Sequence, residues 1–289
     1  MSRVRPGLAR LRSDWPILAA LAPFIVFFLM FEAVPVAVLL QGSIGGLKSP
    51  TSLYLTTVFT HPVYRQSVIN SFMIAGISAL IGAVAGTAIG YALTVTRHTR
   101  IRGALIALAN VTSNAGGIGL AFAFITVIGV SGGITAALRL VGIDLYSFFT
   151  LYSVPGLIVL YVYFQTPLMI ILMLPSFAAI RNEWREASAS LGGTTFEFWR
   201  SIGIPVLFPA IAAGTILMLA SGLGAFATAV ALMGGQANLM TVQVSVLRQG
   251  EVIFKPAQAD ALATVLLVFV AASVVLYNLV NRRAQRWTN

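Results

Sequence analysis

A chain of 289 residues that is 58% hydrophobic and only 9% charged has too little polar surface to cover a water-soluble domain, in which about a quarter of residues are charged. Its mean hydropathy of +0.92 places the apolar excess against lipid, and the absence of cysteine excludes a disulfide framework or a thiolate metal site. The net charge of +10 does not mark a nucleic-acid partner, because the arginines lie in short segments between apolar runs, not in a basic patch with stacking aromatics.

In chain order, Arg3, Arg5, Arg10 and Arg12 precede an apolar stretch from Pro16 to about Leu40. That stretch is too long for a signal-peptide core and no cleavage-like small-residue site follows it, so it reads as a first membrane span. Lipid offers no partner to a free backbone amide, so each crossing must be a helix of roughly 20 mostly apolar residues. Further windows meet that requirement at about Val68 to Val95, Ala104 to Ile128, Val154 to Leu174, Pro205 to Leu232 and Ala261 to Val280. The expected fold is therefore all-α: a polytopic membrane protein with six transmembrane helices in one domain over 16–281, flanked by cytoplasmic segments at 1–15 and 282–289.

An even number of spans puts both termini on one side, and the bias of Lys and Arg toward the cytoplasm identifies it. With the termini inside, thirteen basic residues face the cytoplasm, including Arg97, Arg100, Arg102, Arg181, Arg185 and Arg200, against five outside (Lys48, Arg65, Arg139, Arg248 and Lys255). Both ends are expected in the cytoplasm.

Within the second span Gly82, Gly86 and Gly90 recur every fourth residue, which leaves one helix face bare for close approach of another backbone. The alternative is that glycine is simply common in membrane helices. Polar side chains at membrane depth are candidates for a translocation path: Asn110, Ser113 and Asn114 in the third span, Tyr163, Gln165 and Thr166 beside Pro167 in the fourth, and Ser221 in the fifth. They could equally hydrogen-bond neighbouring helices, and both readings stay open. Glu32 and Asp260 could attract a cation, but such residues more often pair with an Arg or reach the interface.

The segment between the fourth and fifth spans, RNEWREASASLGGTTFEFWRSIGIP from Arg181 to Pro205, reads as two short helices around a glycine turn. Glu183 and Glu186 suit the positive end of the first helix and Gly192 supplies its stop. Glu186, Ala187 and Ser188 are followed by three residues, Gly192, nine more, and Ile202 to Pro205. This pattern resembles the EAA loop of the permease subunits of binding-protein-dependent ABC importers, with Ser188 in place of a second Ala and Ile204 in place of Leu. Within that family the chain looks most like permeases for polyamines, followed by those for phosphonate, ferric ion and thiamine.

The resemblance implies a type I ABC importer permease fold in a bacterial inner membrane. It further implies that the loop at 176–205 is a coupling element seated on a separate ATPase, with Glu186, Ala187, Ser188, Gly192, Ile202 and Pro205 as its contact residues. The implied partners are an ATP-binding cassette ATPase dimer, a second permease chain, identical or related, and an extracytoplasmic solute-binding protein. The chain contains no G-x-x-x-x-G-K-S/T phosphate loop around Lys48 or Lys255. It is thus expected to be non-catalytic, without a cofactor of its own, and to rely on ATP and Mg held by the partner. A membrane-embedded enzyme is disfavoured, since His61 and His98 lie outside the spans and there is no H-E-x-x-H. An ion-coupled secondary transporter or channel is the main alternative, since polar breaks in spans occur there too.

Overall fold

The computed structural model describes residues 15–45, 52–250 and 254–285, and among these every regular element is a helix. The N-terminal arginines, Lys48 and the end of the tail beyond Gln285 lie outside the described residues. Six helical segments are long and apolar enough to cross a bilayer: Ala20–Ser43, Pro62–Val95, Ile118–Leu140, Val154–Ala178, Thr195–Gly224 and Pro256–Asn281.

Helix α1 (Trp15–Phe28) passes through a π turn, Leu29–Ala33, into α2 (Val34–Ser43). The Val34 amide reaches back five residues to the Leu29 carbonyl, and Pro35 follows directly. Proline lacks a donor and its ring crowds the carbonyl four residues earlier, so the backbone widens there instead of continuing as a regular α-helix. From Ala20 to Phe28 every side chain of α1 is exposed, Phe24 and Phe27 among them, and Phe31 of the π turn is exposed as well. Only α2 returns to the body of the protein, along α14 (Pro256–Gln285).

After α3 (Leu53–Thr60) comes α4 (Pro62–Val95). At about 1.5 Å per residue its 34 residues exceed the lipid thickness, so it starts six residues before the expected Val68 and projects from the membrane. Its glycine face packs on α8 (Val154–Ala178), the most extensive helix pair in the fold. A Cβ on Gly86 would lie 2.5 Å from Met169 Cβ and 2.7 Å from the Thr166 carbonyl, and one on Gly82 would lie 3.3 Å from Gln165 Cβ. The stripe is thus a backbone-to-backbone contact and not incidental composition.

Two expected spans differ from expectation in being broken. The window from Ala104 to Ile128 is two helices, α5 (Thr99–Ser113) and α6 (Ile118–Ile128), and the segment that reaches span length continues through α7 (Gly133–Leu140). The break follows from side chains that take over backbone groups. Asn114 Nδ2 donates to the Asn110 carbonyl at 3.0 Å, and Gly117 has φ +88°, a conformation open to glycine and costly for other residues. The window from Pro205 to Leu232 likewise ends α11 (Ile204–Gly224) at Ala225 and restarts as α12 (Phe226–Met233). The following stretch carries α13 (Met240–Gln249), which forms with α12 a pair bent by 67°. The bend is pinned to α4: Asn70 Nδ2 donates to the Asn238 carbonyl at 3.1 Å and the Met240 amide donates to Ser71 Oγ at 2.9 Å.

Candidate coupling site

The segment between α8 and α11 consists of α9 (Asn182–Ser190), a turn, α10 (Thr195–Phe198) and a second π turn, Trp199–Gly203. Helix α9 ends in a glycine-dependent cap. The Gly193 amide donates to the Ser188 carbonyl at 2.9 Å, the Gly192 amide to the Ala189 carbonyl at 3.0 Å, and Gly192 sits at φ +80°. Gly193 is also required, because a Cβ there would lie 2.7 Å from Ser188 Oγ. Thr194 and Glu197 then form a capping box: Glu197 Oε2 accepts from the Thr194 amide at 2.7 Å, and the Glu197 amide donates to Thr194 Oγ1 at 3.2 Å. Both turns of this segment therefore have a local cause.

The second π turn repeats the logic of the first. The Ile204 amide reaches the Trp199 carbonyl, and Pro205 follows. The widened backbone lets the Trp199 ring lie over Gly203, where any side chain would overlap it.

Four of the six residues expected to form the coupling contact line one groove of about 790 Å³: Ala187, Ser188, Gly192 and Ile202, with Trp184 and Leu191 beside them. Glu186 and Pro205 do not line it; both are exposed nearby. On α9, residues 184, 187, 188 and 191 follow the spacing of a single helix face. Leu191 is 89% exposed at the rim and Phe196 72% exposed beyond it, two large apolar side chains with nothing of this chain to cover them. The other side of the segment is anchored. Phe198 is buried, and the Arg185 guanidinium lies 5.4 Å from its ring and 5.9 Å from that of Trp199. Trp199 in turn meets Tyr91 of α4 edge-on at 5.0 Å, and Tyr91 meets Phe177 of α8 at 5.8 Å. These ring contacts join the α9–α10 segment to the two central helices, α4 and α8.

The side chains expected along a translocation path are not brought together. Asn110 and Asn114 are exposed and Ser113 half-buried at the α5–α6 break, and Ser221 is exposed near the end of α11. Tyr163 and Thr166 border an apolar groove between α4, α5 and α8. Gln165 is fully enclosed: its Nε2 donates to the Met218 carbonyl at 3.3 Å, its Oε1 has no partner, and Gly82 and Gly222 close around it. Of the two carboxylates, Asp260 is ion-paired with Arg248, whereas Glu32 is exposed on the uncovered first span.

Two site features have little signature in the sequence. Thr228 Oγ1 of α12 accepts from the Gly117 amide at 3.0 Å and Tyr161 of α8 donates to the Ala225 carbonyl at 2.7 Å, so each helix break is sealed by a hydroxyl from another helix.

The family model for the binding-protein-dependent transport system inner membrane component matches residues 86–287, the greater part of the chain. The chain belongs to that family. The chain is 27% identical over 230 residues to the thiamine transport system permease protein of Salmonella typhimurium, covering 80% of this chain and 42% of that protein. It is 24% identical over 229 residues to the spermidine/putrescine transport system permease protein of Haemophilus influenzae, covering 78% and 79%. The chain thus spans less than half of the thiamine relative and most of the polyamine relative. A bacterial ABC transporter that imports the acidic polysaccharide alginate superposes with a TM-score of 0.72 over 97% of this chain and 99% of that one, at 17% identity. The same transporter, crystallised with an alginate pentasaccharide-bound periplasmic protein, gives 0.73 at 19% identity. These structures share the type I ABC importer permease fold with this inner membrane component. The expectation of a polyamine permease is not separated from that of a thiamine permease.

Proposed function

We propose that this chain forms the membrane path of an ATP-driven importer in a bacterial cytoplasmic membrane, with both termini in the cytosol. An ATP-binding cassette dimer docks at the α9–α10 segment and holds the ATP and Mg that power transport. A second permease chain, identical or related, completes the path, and a solute-binding protein delivers cargo on the opposite face. The observation that carries this reading is the convergence of Ala187, Ser188, Gly192 and Ile202 on one groove with the uncovered Leu191 at its rim. A groove of this kind, together with an apolar knob, suits a protein partner better than a bilayer surface, and Glu183, Glu186 and Glu197 on the same segment oppose an anionic leaflet.

In this scheme ATP-driven closure of the ATPase pair draws two such segments together. The Trp199–Tyr91–Phe177 aromatic contacts carry the movement into α4 and α8, and hydrolysis resets it. The cargo is a small organic cation of the spermidine/putrescine class. Both named relatives support a cationic cargo by the chemistry of their substrates, and the polyamine relative is matched over most of its length. Exposed Asn110, Asn114 and Ser221 are the path residues of this proposal.

The test is reconstitution in vesicles with the cognate ATPase and binding protein. ATP-dependent uptake of labelled spermidine is expected, with thiamine as the competing cargo in a parallel assay. Uptake driven by an ion gradient without any ATPase would replace this reading with an ion-coupled transporter.

A further inference from the structure

Turned away from the coupling groove, α9 contributes to a second cavity. Residues 182 and 185 project roughly 140° around the helix from the groove-lining face, at about 100° per residue. There Asn182 and Arg185 join Arg102 of α5, Tyr91 and Thr94 of α4, and Trp199 to enclose about 260 Å³.

Two guanidiniums from separate elements line this space and no carboxylate does. Among the described residues neither arginine makes an ion pair, those present being Arg139–Asp144 and Arg248–Asp260. Arg185 is held by stacking on Phe198 and Trp199, which positions its charge without neutralising it. Such an arrangement is complementary to a phosphate, which guanidinium binds through paired N–H donors.

A separate, apolar groove lies deeper in the bundle. This groove of about 400 Å³ is bounded by the same three helices toward mid-membrane, lined by Leu93, Leu105, Leu108 and Ile170 with Thr112 and Thr166. Arg102 and Leu105 are one turn apart on α5, and Leu174 of the cavity and Ile170 of the groove are one turn apart on α8. The groove hydroxyls are internally satisfied, Thr112 donating to the Leu108 carbonyl and Thr166 to the Val162 carbonyl, each at 2.7 Å. The α9 end of the bundle therefore presents a cationic, polar head space, and below Arg102 the exposed Leu105 and Leu108 continue α5 as apolar surface, the two halves of an amphiphile.

We propose that this cavity binds the headgroup of one anionic phospholipid, with its phosphate between Arg102 and Arg185 and an acyl chain along the exposed Leu105 and Leu108 of α5. Basic pockets between membrane helices take anionic headgroups in this way. The sidedness proposed above assigns the lipid to the inner leaflet; the site itself depends only on the arginines and the exposed leucines. A bound headgroup braces α9 against the ends of α4 and α8, the same elements that carry coupling movements.

The test uses the full chain in its assembled complex, extracted from bilayers of equal phosphatidylglycerol and phosphatidylcholine and examined by native mass spectrometry. Wild type is expected to retain one phosphatidylglycerol. R102Q/R185Q is expected to lower retention at least tenfold, through loss of the charge-assisted contacts to the phosphate. The charge-preserving R102K/R185K pair keeps most of it, which separates loss of the site from loss of the fold. R97Q/R100Q removes the same charge from a neighbouring stretch outside the cavity and is expected to leave retention unchanged. Equal loss in R97Q/R100Q, or no loss in R102Q/R185Q, overturns the proposal. Saturation by inorganic phosphate with no retained lipid overturns it as well, since only a free anion would then bind.

Discussion

The Gly117 amide donates to Thr228 Oγ1 at 3.0 Å, so a residue in α12 supplies the hydrogen bond that the interrupted α5–α6 backbone cannot make for itself. Thr228→Val keeps the shape and removes the acceptor, leaving a part-buried amide unpaired at a cost of about 1 kcal/mol. A lower unfolding midpoint of the purified protein and reduced solute uptake are expected, with Thr228→Ser restoring both. An unchanged midpoint in the Val variant would show that the break finds another partner.

Gly86 makes the tightest contact in the glycine stripe. Its missing side chain leaves room for Met169 Cβ and the Thr166 carbonyl, and backbone cannot yield as a flexible side chain can. Gly86→Ala is expected to destabilise the α4–α8 pair by about 1–3 kcal/mol, and Gly86→Leu by more. Gly76, where an added Cβ meets nothing within 4 Å, is the control: Gly76→Ala is expected to leave the unfolding midpoint unchanged.

Hydropathy made the number of spans and their helical nature legible, because a bilayer admits few alternatives. The spacing of Gly82, Gly86 and Gly90 disclosed a packing face, and the spacing from Glu186 to Pro205 marked out the α9–α10 segment. The breaks were only half legible. Asn110 to Gly119 reads as polar and glycine-rich, but whether a helix survives there depends on an acceptor in α12 that a run such as Phe226–Met233 does not advertise. Gln165 shows the same limit: its polarity suggested a path, yet Gly82 and Gly222 let helices close over it. Packing decides that outcome, and composition does not report it.

The coupling groove makes a separable prediction. Leu191→Glu places a charge at an exposed rim position, where it has little effect on folding but opposes an apolar contact. Co-purification of the ATPase with the variant is expected to fall at least tenfold while membrane insertion is unchanged. Gly192→Ala forces a φ of +80° on a side-chain-bearing residue at about 1–2 kcal/mol, loosening the turn that presents Leu191. Glu186→Gln also tests the segment, because Glu186 lies outside the groove lining. ATPase co-purification and uptake that persist in both Gly192→Ala and Glu186→Gln would remove those residues from the coupling contact.

In the proposed scheme Pro205 lets the segment pass movement on as well as bind a partner. Each π turn among the described residues ends two residues before a proline, Leu29–Ala33 before Val34 and Pro35, Trp199–Gly203 before Ile204 and Pro205. Pro205→Ala restores a donor and removes the crowding ring, so a regular α-helix becomes available across 199–205. Removing the extra residue of the π turn rotates α10 relative to α11 by roughly 100°, which takes Trp199 away from Tyr91, now 5.0 Å distant. The groove residues Trp184, Ala187 and Ser188 on α9 and the adjoining Leu191 are untouched, while Ile202 moves with the rebuilt turn. The variant is therefore expected to bind its ATPase and support ATP hydrolysis while transport falls sharply, and Trp199→Ala is expected to give the same separation. Loss of ATPase binding in step with transport would instead make Pro205 part of the docking surface.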